Sequence, residues 1–398
     1  MHSTSKKDLS LLNVISLGIG SIVGAGIFAL LGQVILLAGD HTYHAFFIAG
    51  IAAIFSGYSY AKLAGRYHSS GGLTDYFHIA FPEKYVSGTL SAIYLVTEAI
   101  SISMIAKAFG IYITELFNQI PPSDLWVNTL AAVLIIGLAL LNMMQASDVG
   151  RSETVIVIIK VAILFALIFA ALFQPDTRLH PPAFSGESMD FLRSIGVTFF
   201  AYAGYGVITN ATADVKKPQQ TIEWAIYLTL FIVMALYIGL AWVVLNYIPT
   251  AELEANAETS VAEVARKLLG TTGYGFIYVA AVLAFISGIN ATFFSIFRIS
   301  DSLAQQTVFP HFMLKKFWRQ GSLGAALNTL LIVLVTIFFD FSSIVNLSSA
   351  AYLVSYLGIF IANWKLRKET KSNPAVIIVG TLLMVFILAA FIISILPR

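Results

Sequence analysis

The chain has 398 residues, 58% of them hydrophobic and only 11% charged, with a mean hydropathy of +0.84. Soluble domains carry about 25% charged residues, so this composition excludes a water-soluble core and indicates a polytopic membrane protein. The net charge of +2 gives no basic field for nucleic acid, and the absence of cysteine excludes disulfides and thiolate metal sites.

Residues 1–8 read as a short polar leader and not as a cleavable signal, because the apolar stretch that follows is long and lacks a cleavage pattern. Eleven spans of the length a bilayer requires are expected, at 10–37, 44–63, 86–117, 125–145, 153–173, 190–213, 221–248, 272–305, 323–339, 342–364 and 374–396. The third and eighth exceed 30 residues and must tilt or protrude. With the N-terminus inside, inner segments hold fifteen Lys and Arg and outer segments five. That bias predicts an N-in, C-out arrangement.

Span one contains Gly18, Gly20, Gly24 and Gly26 within nine residues. Each glycine costs a helix up to about 1 kcal/mol relative to alanine, and bare backbone in lipid is costlier still. The span is therefore expected to break at mid-depth, where the break must line a polar cavity. The half-helix after the break starts near Gly24, and its free N–H groups suit an anion. Gly24, Ala25 and Gly26 would hold an α-carboxylate through their backbone, with glycine and alanine allowing close approach. Carbonyls over Ile19–Ile22, including that of Ser21, suit an α-ammonium. The bland alternative is close helix packing through small residues.

His41 and His44 follow in the first outer loop, without the carboxylates a metal site needs. Span three carries Glu98, well inside the membrane, with Ser101 on the same face one turn on. An intramembrane carboxylate marks a cation partner or a proton relay, so Glu98 is expected to bind a cationic side chain, to pair with Lys107 or Arg298, or to relay protons. Lys160 lies eight residues into span five, and a charge at that depth requires a cavity or partner. Three readings stay open for it: a proton-coupling group, a permanently charged structural cation, and a lysine snorkelling to the inner surface.

Span six mixes glycine, small and polar residues over Phe199–Thr212, so it too is expected to break, exposing carbonyls over Phe200–Ala203 beside Gly204. Paired interrupted spans in corresponding halves point to a binding site between repeats. Carboxylate-binding amides on one side and ammonium-binding carbonyls on the other suit a zwitterion. In span ten, Asn346–Tyr352 is unusually polar, and Ser348 is a possible pocket residue, although such hydroxyls often bond only their own helix. No nucleotide, hydrolase or zinc motif is present. An enzyme would have only Lys160 as a nucleophile, without a base.

Three stretches carry a family resemblance: Gly20–Phe28; Phe200–Gly204 with Asn210–Pro218; and Arg298–Pro310. In order and spacing, over about residues 10–365, the chain resembles the amino acid–polyamine–organocation (APC) permeases. The resemblance implies an all-α, LeuT-type fold of 5+5 inverted repeats with discontinuous helices 1 and 6. It places repeat one at about 10–173, repeat two at about 190–364 and an extra helix at about 374–396, all in one transmembrane domain over 1–398. It implies that Phe200 closes over substrate, with Tyr202 and Tyr205 as weaker candidates for that gate. It also implies that Lys160 stands where sodium-coupled relatives hold an ion, donating to carbonyls near Ile19 and Gly20 and to a helix-eight hydroxyl, Ser287. The chain departs from the family in having eleven spans where twelve are common, Asp214 where glutamate is usual, and Ala25 where many members have serine.

The expected function is sodium-independent secondary transport of amino acids by alternating access, with neutral substrates favoured and proton coupling expected. Exchange, a cationic amino acid or polyamine substrate, and a non-transporting sensor are the alternatives. Expected partners are an amino acid, the lipid bilayer and protons, with no cofactor, metal, nucleic acid or obligate protein partner. The expected location is the plasma membrane of a bacterium or archaeon, with the N-terminus cytoplasmic.

Overall fold

The computed structural model describes residues 9–68, 71–117, 123–144, 149–174, 188–319 and 321–395. Among them, nine helical stretches are long and apolar enough to cross a membrane, and Leu11–Ile22 and Leu323–Phe338 are shorter apolar helices. Each of the eleven expected spans falls on helix, and the protein is an all-α multi-pass integral membrane protein.

Span one is two helices, α1 (Leu11–Ile22) and α2 (Ala25–Ala38). Ser10 caps α1 through a reciprocal pair with Asn13, satisfying two of the N-terminal groups a helix leaves free. Then follow α3 (Thr42–Arg66), a short α4 (Leu73–Ala80), α5 (Lys84–Leu116), α6 (Asp124–Met144) and α7 (Val149–Leu172). Span six is likewise divided, into α8 (Ser188–Tyr202) and α9 (Val207–Asn210). Pro218 opens α10 (Pro218–Tyr247) at its first turn, where a missing N–H costs nothing. The remaining helices are α11 (Thr250–Ala255), α12 (Ser260–Gln305), α13 (Leu323–Phe338), α14 (Phe341–Lys365) and α15 (Pro374–Ile395).

Span eight begins where expected: the helical stretch labelled α12 is two helices divided at Gly270, whose φ is 67°, so the span runs over 271–305 and a separate helix over 260–269 precedes it. A positive φ is a conformation that glycine adopts readily. The loops after spans two and seven also hold short helices, α4 and α11, too brief to show a clear period.

The broken helices form the centre. α1 packs on α7, α10 and α12; α2 and α8 pack on each other; α12 packs on α5 and α7. Residues 194–202 of α8 are all buried. By contrast, α6, α7, α13 and α15 turn large apolar side chains outward, among them Val133, Phe169, Leu330 and Leu382. That is the distribution expected of a ring of lipid-facing helices around a packed centre.

Candidate functional site

The first break falls at Val23 (φ −83°, ψ 54°) and Gly24 (φ −95°, ψ −116°). The second spans 203–206, where Gly204 has φ +107°. The two breaks touch. A Cβ on Gly204 would stand 2.7 Å from Ser21 Oγ, and one on Gly26 would stand 3.0 Å from the Ala201 carbonyl oxygen. The glycines therefore serve close backbone approach between half-helices as well as the turn itself. Ile19, Ser21, Ile22, Phe200, Ala201, Ala203 and Gly204 are thus brought into one buried centre, none of them more than 8% exposed.

Lys160 of α7 enters this centre from the side. It is 0% exposed. Its Nζ donates to the Gly20 carbonyl at 3.3 Å, the Val23 carbonyl at 2.8 Å and Ser287 Oγ at 2.7 Å. Complete burial overturns the snorkelling reading. The carbonyl partners also differ in part from expectation: Val23 takes the place proposed for Ile19. The Ile19 carbonyl already accepts from the Val23 N–H at 2.8 Å, closing the last turn of α1, while the Val23 carbonyl lies beyond the helix end. Beside Ser287, α12 meets the break backbone to backbone: a Cβ on Gly288 would stand 3.1 Å from Gly24 Cα.

Sequence reasoning missed Tyr237. Its hydroxyl lies 3.0 Å from the Ile22 carbonyl and 3.1 Å from the Ala201 carbonyl. One donor from α10 thus serves the exposed C-terminal ends of both broken helices. These are two of the carbonyls assigned to a substrate ammonium, and each keeps a second lone pair. At the other break, the Gly204 N–H donates to Tyr356 Oη at 3.2 Å.

The two gate candidates separate. Residues two apart on a helix point about 200° apart, and so Phe200 faces α14, stacked on Tyr352 with ring centroids 5.5 Å apart. Tyr202 faces α3 and α10, packed on Phe46 and Tyr237. Tyr205 lies with Tyr60 and Tyr356, its hydroxyl hydrogen-bonded to Ser56.

Glu98 is buried, as is Ser101 one turn on. Glu98 accepts from the Tyr352 hydroxyl at 3.1 Å. Tyr352 thereby links the carboxylate to Phe200, a connection the sequence did not reveal. Neither expected ion-pair partner is there. Arg298 pairs with Asp214 at 3.2 Å and lies 4.0 Å over the Phe294 ring. Lys107 is nine residues along the same helix, about 13 Å away by helical rise, and the charges acting on it are Asp124 and Asp340. Ser348 is fully buried, and its hydroxyl has no partner among the described residues, whereas Ser349 bonds the Val345 carbonyl of its own helix at 2.8 Å.

Polar contacts between elements flank the centre. On one side Arg298 also donates to the Asn210 carbonyl at 2.7 Å. There Asp75 of α4 accepts from Ser302 at 2.8 Å and from Gln306 at 3.0 Å. On the other side Gln33 meets Glu258 at 3.2 Å, and Thr259 donates to Glu115 at 3.0 Å. Among the described residues no group of three or more acidic or histidine side chains stands ready for a metal ion.

Two broken helices meeting in a buried centre define a membrane transporter of the interrupted-helix kind. The chain belongs to the amino acid permease family, whose model matches residues 9–398. It is 39% identical over 395 residues to the inner membrane transport protein YbaT of Escherichia coli, covering 98% of this chain and 91% of that protein. It is 24% identical over 385 residues to the serine/threonine exchanger SteT of Bacillus subtilis, covering 92% and 85%. It is 26% identical over 305 residues to the chloroplastic cationic amino acid transporter 9 of Arabidopsis thaliana, covering 72% and 52%.

Proposed function

We propose that the protein is a sodium-independent amino acid permease that works by alternating access around the paired breaks, with neutral substrates preferred and transport coupled to protons. The Gly24–Gly26 amides hold the α-carboxylate, the carbonyls of the broken helices hold the α-ammonium, and Phe200 closes over the side chain. The observation that carries this reading is Lys160, whose ammonium spans Gly20, Val23 and Ser287. A fixed cation at that junction ties the first break to α12 without a bound metal ion. The two facing breaks support a LeuT-type arrangement of inverted repeats, 10–173 and 190–364, followed by the helix at 374–396. The charge bias of the loops supports a cytoplasmic N-terminus, in a bacterial or archaeal plasma membrane.

Glu98 supports a second reading, in which the substrate is cationic. Its carboxylate lies one stacked ring from Phe200, and one relative is named as a cationic amino acid transporter. Exchange is the alternative to proton symport, as in the relative named as an exchanger. Counterflow uptake in sodium-free proteoliposomes, across a panel of labelled amino acids with and without a proton gradient, separates these readings. Accumulation of neutral amino acids raised by an inward gradient supports the proposal. Accumulation of lysine or arginine alone supports the Glu98 reading, and accumulation indifferent to the gradient supports exchange. No accumulation of any amino acid by folded protein overturns the proposal.

A further inference from the structure

Beyond Gln306, the segment between α12 and α13 is not used by the transport site. Residues 306–322 contain Lys315, Lys316 and Arg319 but no acidic residue, together with Phe309, Phe312, Phe317 and Trp318. Its core is an antiparallel hairpin, β1 (Lys316–Trp318) with β2 (Gly321–Ser322). All of Lys315–Arg319 is exposed. Phe317 is 58% and Trp318 38% exposed, unusual for a short ribbon that has apolar neighbours to pack against. None of the three cations makes an ion pair or side-chain hydrogen bond among the described residues.

The ribbon is nevertheless fixed in place. The Leu323 N–H donates to the Lys315 carbonyl at 2.8 Å, and Ser322 donates to Asp301 at 2.9 Å. Gly321 lies so close to α6 that a Cβ there would stand 2.5 Å from Met143 Cγ. The hairpin is thus held at the ends of α6 and α13, two helices whose outer faces carry exposed Leu140, Leu141, Leu330 and Leu334. The ends of two such helices mark the rim of the bundle, where the hydrocarbon of a surrounding bilayer would give way to headgroups. Tryptophan and phenylalanine favour this boundary, and basic clusters beside a transmembrane helix are attracted to anionic lipid.

We propose that Lys315, Lys316 and Arg319, with Phe317 and Trp318 as the apolar anchor, form a binding site for anionic phospholipid. The cations take the phosphate and headgroup charge, and the two rings insert among the upper acyl carbons. Charge complementarity and the rim position favour a lipid over a soluble protein, since the rings would otherwise have to be covered by a partner reaching down to the hydrocarbon edge.

The test is native mass spectrometry of the purified full-length protein titrated with phosphatidylglycerol or with phosphatidylcholine of the same chains. Wild-type protein should retain phosphatidylglycerol at least about tenfold more strongly, given a few-fold gain per basic residue near an anionic surface. The K315Q/K316Q/R319Q variant should lose that preference. The F317S/W318S variant should bind both lipids more weakly while keeping the order. Equal retention of the two lipids by wild type, or an undiminished preference in the triple glutamine variant, overturns the proposal. Competition by glycerol phosphate as effective as by the lipid also overturns it, because it would show an anion site that does not need the rings. Counterflow activity and melting temperature identify folded variants. Should the triple variant not fold, R319Q alone should lower the preference about fivefold, and no change there counts against the proposal.

Discussion

Lys160 Nζ lies 2.7 Å from Ser287 Oγ, and the two residues belong to α7 and α12, which both pack on α1 at the first helix break. With the Gly20 and Val23 carbonyls as further acceptors, this ammonium ties three elements together where any conformational cycle must move α1. Leaving buried acceptors without a donor costs about 1–3 kcal/mol each. Lys160→Ala is therefore expected to cut uptake at least tenfold and to lower the melting temperature. If Lys160 carries the coupled proton, the residual flux loses its dependence on pH. Flux of normal size with its pH profile intact would remove Lys160 from the mechanism.

Tyr237 offers a cleaner perturbation, because a single oxygen is deleted. Tyr237→Phe removes the donor shared by the Ile22 and Ala201 carbonyls. We expect a stability loss of about 1–3 kcal/mol and weaker substrate binding, since the ends of both broken helices lose the same clamp. A thermal melt in detergent, with and without substrate, measures both effects. Unchanged melting would mean that the two carbonyls are held by other means.

Gly204 and Gly270, two of the four described glycines with positive φ, make an internal control. Gly270→Ala meets no atom within 4 Å and suffers backbone strain alone, whereas Gly204→Ala adds a clash with Ser21. Strain at such a conformation costs about 1–3 kcal/mol. Gly270→Ala should therefore fold and transport with a lowered melting temperature, while Gly204→Ala should lose transport. Equal activity of the two variants would show that the contact between the breaks is dispensable.

Glu98→Gln keeps a hydrogen-bond acceptor for Tyr352 but removes the charge. Under the neutral-substrate reading, neutral amino acid uptake survives the change within a few-fold. Under the cationic reading, uptake of lysine or arginine falls by at least tenfold. Measuring both substrates on one preparation decides between them.

Much of this centre was legible in the sequence, for physical reasons that differ from residue to residue. Clustered glycine in an apolar span contradicts a continuous helix, so the positions of both breaks could be read directly. A lysine buried in a membrane span needs a cavity or partner, and the family resemblance, not the residue pattern, pointed from Lys160 to Gly20 and Ser287. Tyr237 was not legible: it is one of 17 tyrosines, it sits in an unbroken apolar helix, and it reaches carbonyls 215 and 36 residues away. Tyr352 was hidden likewise, because its link between Glu98 and Phe200 depends on how α5, α8 and α14 pack. The helix over 260–269 was missed because it lies in a stretch that reads as polar loop, divided from span eight at Gly270.

Recognition of a zwitterion by the paired breaks is tested by altering the ligand and leaving the protein intact. Counterflow of the transported amino acid should be measured in sodium-free proteoliposomes, in competition with the unlabelled amino acid and with the corresponding amine lacking its carboxylate. The amino acid should compete and the amine should not, because the Gly24–Gly26 amides would then have no anion to hold. Equal competition by the amine would contradict zwitterion recognition.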